Sequence, residues 1–178
     1  MTTGQSRSAA VPFWRDWLPH PPSLALPLGQ IPPDFALWDV THQRTVRLAN
    51  WRGKQPVVLS FERIRADLAY GSQRYPNLVA LNQGYAQFRN AGAEVLVVTR
   101  TIRRQGQAVI DDLGLTVPLL SDETGTTFRA YHTGQALGEP LPAQFVLDAQ
   151  GRLRYSHLFS LLHAQATPAH LLAVLEAL

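Results

Sequence analysis

A chain of 178 residues that is 46% hydrophobic and 16% charged can bury a sizeable core, so we expect one folded domain rather than a disordered protein. The formal net charge of +3 is small and scattered along the chain without a recognition motif, so nucleic acid is not an expected partner. The absence of cysteine excludes disulfides, thiolate metal sites and thiol catalysis, and the six histidines lack metal-ligand spacing, so no metal or cofactor is expected.

The first 28 residues differ in composition from the rest. FWRDWLPHPPSLALPLG is rich in proline and tryptophan, and its prolines favour extended chain over helix. We therefore divide the chain into an arm, residues 1–28, and a domain, residues 29–178. We expect the arm to pack across its own domain; an arm that binds a partner is the alternative. Arg15 and Asp16 interrupt the apolar stretch of a signal peptide, and no run approaches a membrane span, so we expect a cytoplasmic protein without membrane contact.

Strand signals begin after Pro33. DFALWDV alternates between apolar and polar positions, THQ predicts a turn, and RTVRLA predicts a second strand with Val46 and Leu48 facing inward. PVVLSF and AEVLVVT are nearly unbroken apolar runs, typical of strands covered on both faces. We expect these two runs to be adjacent and parallel, because a helix-length segment separates them.

The segment between those two runs predicts a helix from about Ser72 to Asn90. Its apolar residues recur with helical spacing at Leu78, Leu81, Tyr85 and Phe88. Gly92 in NAG is placed at or just past the end of this helix.

A second helix is expected in TIRRQGQAVIDDLG. Its apolar stripe contains Ile102, Val109 and Leu113, and Gly114 ends it. Gly106 lies on the same stripe, where a bare backbone favours close packing on the sheet.

The remaining third of the chain predicts a strand in VPLLSD, a short helix in ETGTTFRAYH, and a hairpin from AQFVLD and RLRYSHLF. Thr167 and Pro168 are expected to open a last helix as its N-cap and first residue. Leu171, Val174, Leu175 and Leu178 form its apolar stripe. Alternating strands and helices predict an α/β domain, and the last hairpin adds antiparallel strands to its sheet.

Several segments together resemble the peroxiredoxin-like proteins of the AhpC/TSA group. The opening IPPDFALWDVTHQRTVRLANWRGKQPVVLSF is similar to that family's start, and the likeness continues through FRNAGAEVLVVT, DDLGLTVPLLSDETGTTFRAYH and LPAQFVLDAQGRLRY. It covers residues 29–178. The resemblance implies a thioredoxin-like (peroxiredoxin-like) α/β fold, with a central mixed sheet flanked by helices and an N-terminal β-hairpin.

The family's thiol motif has no counterpart in this chain. Members of the most similar branch carry Cys-Pro-x-Cys, a few residues, and then a proline at the start of the first long helix. Alignment on Tyr75 and Pro76 places Leu68 and Gly71 where the two cysteines would be, and Ala69 where the proline would be. Ser72 is not expected to replace the thiol, because a serine needs an adjacent base and cannot form a sulfenic acid; we expect it to cap the helix.

Proteins of the thioredoxin fold place a cis-proline opposite the cysteine loop, at the start of a strand, and Pro142 in LPAQFVLD takes that place by resemblance. We expect Pro142 to be cis, with simple strand initiation as the alternative. In the peroxidases of the family an arginine near this position helps to bind peroxide, and here the position is proline.

The inherited cleft could still bind an anion. Ligands of parallel α/β sheets bind at the carboxyl ends of the strands, where Arg63, Arg65 and Arg100 follow two central strands. Helices expected to begin near Tyr70 and Thr101 would point free amides toward the same edge. The alternative is that these arginines are solvated, or paired with acidic neighbours such as Glu62 and Asp67.

Two functional interpretations follow. The leading one is a redox-inactive family member that acts as a binding or interaction module, with a protein or a small anionic ligand as partner and a homodimer left open. The alternative is an enzyme without thiol chemistry that uses the same cleft, and a base next to a nucleophile in the folded chain would favour it.

Overall fold

A computed structural model describes residues 19–23, 25–64, 75–160 and 165–178. Its strands are β1 Ala36–Asp39, β2 Arg44–Arg47, β3 Val57–Glu62, β4 Glu94–Thr99, β5 Leu119–Ser121, β6 Gln135–Ala136, β7 Glu139–Pro140, β8 Ala143–Leu147 and β9 Leu153–Leu158. Its α-helices are α1 Pro76–Asn90, α2 Arg103–Leu113, α3 Thr126–Ala130 and α4 Pro168–Glu176, and a 3-10 turn covers Leu48–Trp51. None of the helices in these ranges is long and apolar enough to span a membrane.

The described strands form a mixed sheet in the order β2-β1-β5-β4-β3-β8-β9, with β6 and β7 in a separate two-stranded ladder. β3 and β4 are parallel neighbours, paired from Val57–Glu94 to Glu62–Thr99, and every residue of both strands is buried. The predicted central pair and both antiparallel hairpins, β1–β2 and β8–β9, are confirmed.

Side chains alternate between the two faces of the sheet and build two apolar clusters. One face packs Val58, Val95 and Val146 against helices α1, α2 and α4. The other face holds aromatic residues around Phe61, whose ring centroid lies 5.0 Å from those of Phe128 and Tyr131. This second cluster carries α3 and receives Leu26 from the predicted arm.

Residues 19–23 lie against the domain. His20 and Gln135 form an antiparallel bridge, in which the backbone N–H of each donates to the carbonyl of the other. A Cβ on Gly134 would lie 2.5 Å from the Pro22 nitrogen and 2.6 Å from the His20 carbonyl oxygen, so this contact requires glycine. Trp14 and Trp17, the two tryptophans of the predicted arm, lie outside the described residues.

Helix α1 begins at Pro76, later than the predicted start near Ser72, and Tyr75 is its N-cap. The expectation that Ser72 caps this helix, and that the helix begins near Tyr70, is therefore wrong. Proline suits the first helical position because its missing N–H needs no partner there, and it keeps the preceding residue out of helical geometry. Tyr75 accordingly has φ −126° and ψ 60°.

Two further details of the helices depart from the predicted stripes. Ile102 is 48% exposed, because α2 begins at Arg103 and Ile102 is an extended N-cap outside the helical face. Leu178 is 49% exposed, beyond the end of α4 at Glu176. Gly106 does pack closely as predicted, since a Cβ there would lie 3.2 Å from a methyl group of Val40.

Candidate functional site

The carboxyl-terminal end of β3 carries a buried acid. Ser60 and Glu62 point to the same face of the sheet, since residues two apart on a strand share a face. The Ser60 hydroxyl donates to Oε1 of Glu62 at 2.7 Å, and the Asn77 amide of α1 donates to the same oxygen. Glu62 is 8% exposed and Ser60 has no exposed surface.

The same polar cluster continues onto β8. Gln144 donates from Nε2 to the carbonyl of Ala166 at 3.1 Å, and its Oε1 accepts from the Ala166 N–H at 2.7 Å. These two bonds attach the segment before α4 to the sheet. We call Ser60, Glu62, Asn77, Gln144 and Ala166 the Glu62 network.

Burial sets the protonation behaviour of the acid. Removal from water raises the pKa of Glu62 from 4.5 to about 6, and the hydrogen bonds from Ser60 and Asn77 oppose that rise. A carboxyl group with a pKa near 6 can exchange a proton close to neutral pH. Proton exchange with a substrate also requires access, which the described surroundings of Glu62 do not offer.

Ser60 and Glu62 together form a hydroxyl–carboxylate pair of the kind that a nucleophile and its base would make. No sequence signal marks the pair as catalytic, because SFE reads as the end of a buried strand. The pair has no exposed serine surface, so its geometry is that of a satisfied interior contact.

Most residues predicted for the thiol-like loop lie outside the described residues. These are the positions aligned with the cysteines and the binding candidates beside them, namely Arg65, Leu68, Tyr70, Gly71 and Ser72. Arg63 follows β3 and is half-buried, and its buried Nε has no hydrogen-bond partner among the described residues.

Pro142 precedes β8 as expected but is not cis. No described residue is joined by a cis peptide bond, so the cis expectation is wrong. Leu141, whose N–H donates to the Gly134 carbonyl at 3.0 Å, and Pro142 connect β7 directly to β8. The strand-initiating role left as the alternative describes Pro142.

Arg100, which follows β4, borders a cavity of about 460 Å³. The cavity lies between residues 20–23, the turn at Gly125, helix α3 and the β6–β7 ladder. Arg129 and His132 also line it, whereas Arg63 does not. We call this space, with Arg100 and Arg129 at its wall, the cationic cavity.

Sequence reasoning missed Arg129. Arg129 lies on the short helix α3. Its proximity to Arg100 depends on how α3 packs beside the end of β4, which the spacing of nearby residues in the sequence does not encode. Among the described residues, no group of histidine and acidic side chains could hold a metal ion.

A protein-family model described as AhpC/TSA family matches residues 28–156. The peroxiredoxin Q of Triticum aestivum chloroplasts is 32% identical over 129 residues, which cover 71% of this chain and 57% of that protein. The peroxiredoxin Q of Suaeda salsa chloroplasts is 31% identical over 173 residues, covering 86% of this chain and 78% of that protein.

Solved structures show the same fold at lower identity. The reduced 2-Cys peroxiredoxin of Plasmodium vivax superposes with a TM-score of 0.71 at 19% identity, over 84% of this chain and 80% of that chain. The matched region therefore has a peroxiredoxin architecture, and the match spans little more than half of the wheat protein.

Proposed function

We propose that this chain, which belongs to the AhpC/TSA family, is a redox-inactive member which acts by binding a ligand or a protein. The observation that carries the proposal is the complete absence of cysteine from the 178 residues. Peroxide reduction in this family needs a thiolate that attacks the peroxide and becomes a sulfenic acid. Neither leucine nor glycine, the residues aligned with the two cysteines, can form one.

The retained fold supports a binding role. The strands, hairpins and helices that would present a thiol are kept, and an open cavity with cationic walls borders the carboxyl end of β4. Arg63 and Arg100 remain candidates for contacts to a partner at this edge, and Arg65 and Tyr70, outside the described residues, remain candidates by sequence position. Loss of the thiol therefore removes one chemistry and leaves a shaped surface.

Peroxide consumption tests the proposal. The purified chain, given hydrogen peroxide or an organic hydroperoxide with dithiothreitol or a thioredoxin system, should consume peroxide no faster than buffer. An active peroxiredoxin measured in parallel shows that the assay responds. Turnover that rises in proportion to the concentration of this chain, with contaminating peroxidase excluded, contradicts the proposal.

Restoring the cysteines tests how far the loop has diverged. The double variant Leu68→Cys and Gly71→Cys should form an intramolecular disulfide under mild oxidant if the loop keeps family geometry, and mass spectrometry of alkylated peptides detects it. A folded double variant that never forms this disulfide would show that the loop was reshaped, which favours a new ligand over simple decay of the site.

An enzyme without thiol chemistry is the second candidate, and the Ser60–Glu62 hydrogen bond is the observation in its favour. Such an enzyme would hydrolyse activated esters with a rate that depends on a group of pKa near 6. The Ser60→Ala variant should then lose that activity. Equal slow hydrolysis by the wild-type protein and by Ser60→Ala would reject this candidate.

A further inference from the structure

The cationic cavity combines an apolar interior with two guanidinium groups. Phe128, Pro21 and Pro140 line it beside Arg100 and Arg129. Its volume of about 460 Å³ lies within the range of small-molecule sites, roughly 300–1,000 Å³. A compact organic molecule fits such a space, whereas a folded partner does not.

The arginines are held in place by neutral acceptors. Arg129 donates from Nη1 to the Thr124 carbonyl at 2.9 Å and from Nη2 to the Thr126 hydroxyl at 3.1 Å. Arg100 donates from Nη1 to the Gly138 carbonyl at 2.9 Å. A guanidinium has five N–H donors, so each arginine keeps donors beyond those it uses here.

Little negative charge balances these two groups. Within the described parts of the chain, the one carboxylate that reaches either of them is Glu139, whose Oε2 lies 4.0 Å from Nη1 of Arg100. Both partners of that contact are about two-fifths exposed, so the pair is weak.

Gly125 brings the two arginines together. A Cβ on Gly125 would lie 3.4 Å from Nη1 of Arg129 and 3.5 Å from Nε of Arg100. The two side chains therefore flank one glycine, and their like charges repel. An anion between them would remove that repulsion and accept charge-assisted hydrogen bonds from both.

The opposite wall is fixed by glycine as well. Residues 20–22 pack on Gly134 at backbone contact distance, and Ser23 donates its N–H to the His132 carbonyl at 3.1 Å. His132 itself has φ 52°, an uncommon left-handed conformation for a residue with a side chain. The cavity is therefore a shaped space between ordered elements.

We propose that the cationic cavity binds a small organic anion, in which a phosphate or carboxylate group lies between Arg100 and Arg129 and a compact apolar body packs on the wall lined by Pro21, Phe128 and Pro140. The inference deepens the proposed binding role and rests on it for its biological meaning. Its physical test is independent of peroxide chemistry.

Three probes measured by isothermal titration calorimetry on the full chain test the site. Phenyl phosphate and phenylacetate carry the two candidate anions on one apolar ring, and 2-phenylethanol keeps the ring without charge. We expect saturable binding of at least one anionic probe, at least tenfold tighter than 2-phenylethanol and weakened by added sodium chloride. Inorganic phosphate should bind more weakly than phenyl phosphate, because it cannot use the Phe128 wall.

Variants locate the site. Arg129→Ala and Arg100→Ala should each weaken the tighter probe at least tenfold, whereas Arg104→Ala, at an exposed arginine of α2 outside the cavity, should leave it unchanged. Glu139→Gln should tighten binding about twofold, since it removes the carboxylate that competes for Arg100. Arg129→Lys keeps the charge but not the planar fork and should fall between Arg129→Ala and wild type.

The outcomes separate cleanly. Equal affinity for 2-phenylethanol and the anions, no saturable binding at millimolar probe, or unchanged affinity in folded Arg100→Ala and Arg129→Lys proteins would each overturn the inference. If the anions fail to bind while the chain still consumes no peroxide, the cavity inference fails and the redox-inactive proposal stands. If the chain consumes peroxide and the anions bind, the redox-inactive proposal fails and the cavity inference stands.

Discussion

Two regions at the same edge of the sheet differ in the burial and the hydrogen-bond partners of their charged side chains. The Glu62 network, at the end of β3, buries its acid among amides and a hydroxyl that donate to it. The cationic cavity, beside the end of β4, exposes two arginines whose bound acceptors are almost all neutral. One region has satisfied its polar groups internally, and the other has donors left for a ligand.

This difference indicates where function remains in a family member without its thiol. A buried cluster of hydrogen-bonded polar groups stabilises the fold whether or not the protein catalyses a reaction. The two arginines at the wall of the cationic cavity repel each other, so their proximity does not stabilise the fold. Ligand binding would explain why both are present there.

The largest expected effect is a loss of stability when a hydrogen bond of the Glu62 network is removed, compared with the loss of an exposed hydrogen bond. Gln144→Leu leaves the Ala166 N–H and carbonyl without partners in a buried site, which should lower the free energy of unfolding by about 3 kcal/mol. Urea unfolding followed by circular dichroism measures this. Gln107→Leu, which removes an exposed contact to Asp111, serves as the control and should change stability little. Equal losses in both variants would show that the network has no special weight.

The next effect depends on pH. Because the pKa of Glu62 is raised from 4.5 to about 6, the folded chain holds that proton more tightly than the unfolded chain. Its stabilising effect is complete below pH 4.5 and is lost as the pH rises through 6, a difference of about 2 kcal/mol.

Glu62→Gln isolates this contribution, because glutamine does not titrate. Between pH 5 and pH 7 the melting temperature of the wild type should fall relative to that of Glu62→Gln. If the melting temperatures of the two proteins change in parallel between pH 5 and pH 7, the raised pKa of Glu62 and the burial that causes it are contradicted.

The smallest expected effect concerns Gly134, which lies at the wall of the cationic cavity. Gly134→Ala places a Cβ against the backbone of residues 20–22, and Gly53→Ala imposes the same backbone strain, φ +79°, with nothing within 4 Å. Gly134→Ala should therefore cost about 1 kcal/mol more than Gly53→Ala and should also weaken phenyl phosphate binding. Thermal melts and calorimetry measure the two effects, and identical behaviour of the two variants would show that residues 20–22 do not shape the cavity.

Local sequence signals were sufficient for much of the fold. The unbroken apolar runs of β3 and β4 predicted a buried parallel pair, and Gly92 and Gly114 were placed correctly at helix ends with φ 75° and 60°. Thr167 and Pro168 were correctly identified as N-cap and first residue of α4. Each of these signals acts through nearby backbone geometry or burial.

Features that depend on contacts between distant segments were not predictable in the same way. The Gln144–Ala166 bonds, the Asn77–Glu62 bond and the proximity of Arg100 to Arg129 each join residues that are distant in sequence. The expected start of α1 near Ser72 lies about one turn too early, because Pro76 is itself the first helical residue. Pro142 was expected to be cis from the resemblance alone, and no local signal of the chain opposed that expectation.

We expect the cationic cavity, and not the Glu62 network, to be the binding surface. Titration of phenyl phosphate into ¹⁵N-labelled full-length chain, followed by amide NMR spectra, tests it directly. We expect saturable shifts at residues of the cavity, such as Gly125, Phe128, His132 and Gly134, and unchanged amides at Ser60, Asn77 and Gln144. Shifts concentrated in the Glu62 network, or none that saturate, would contradict it.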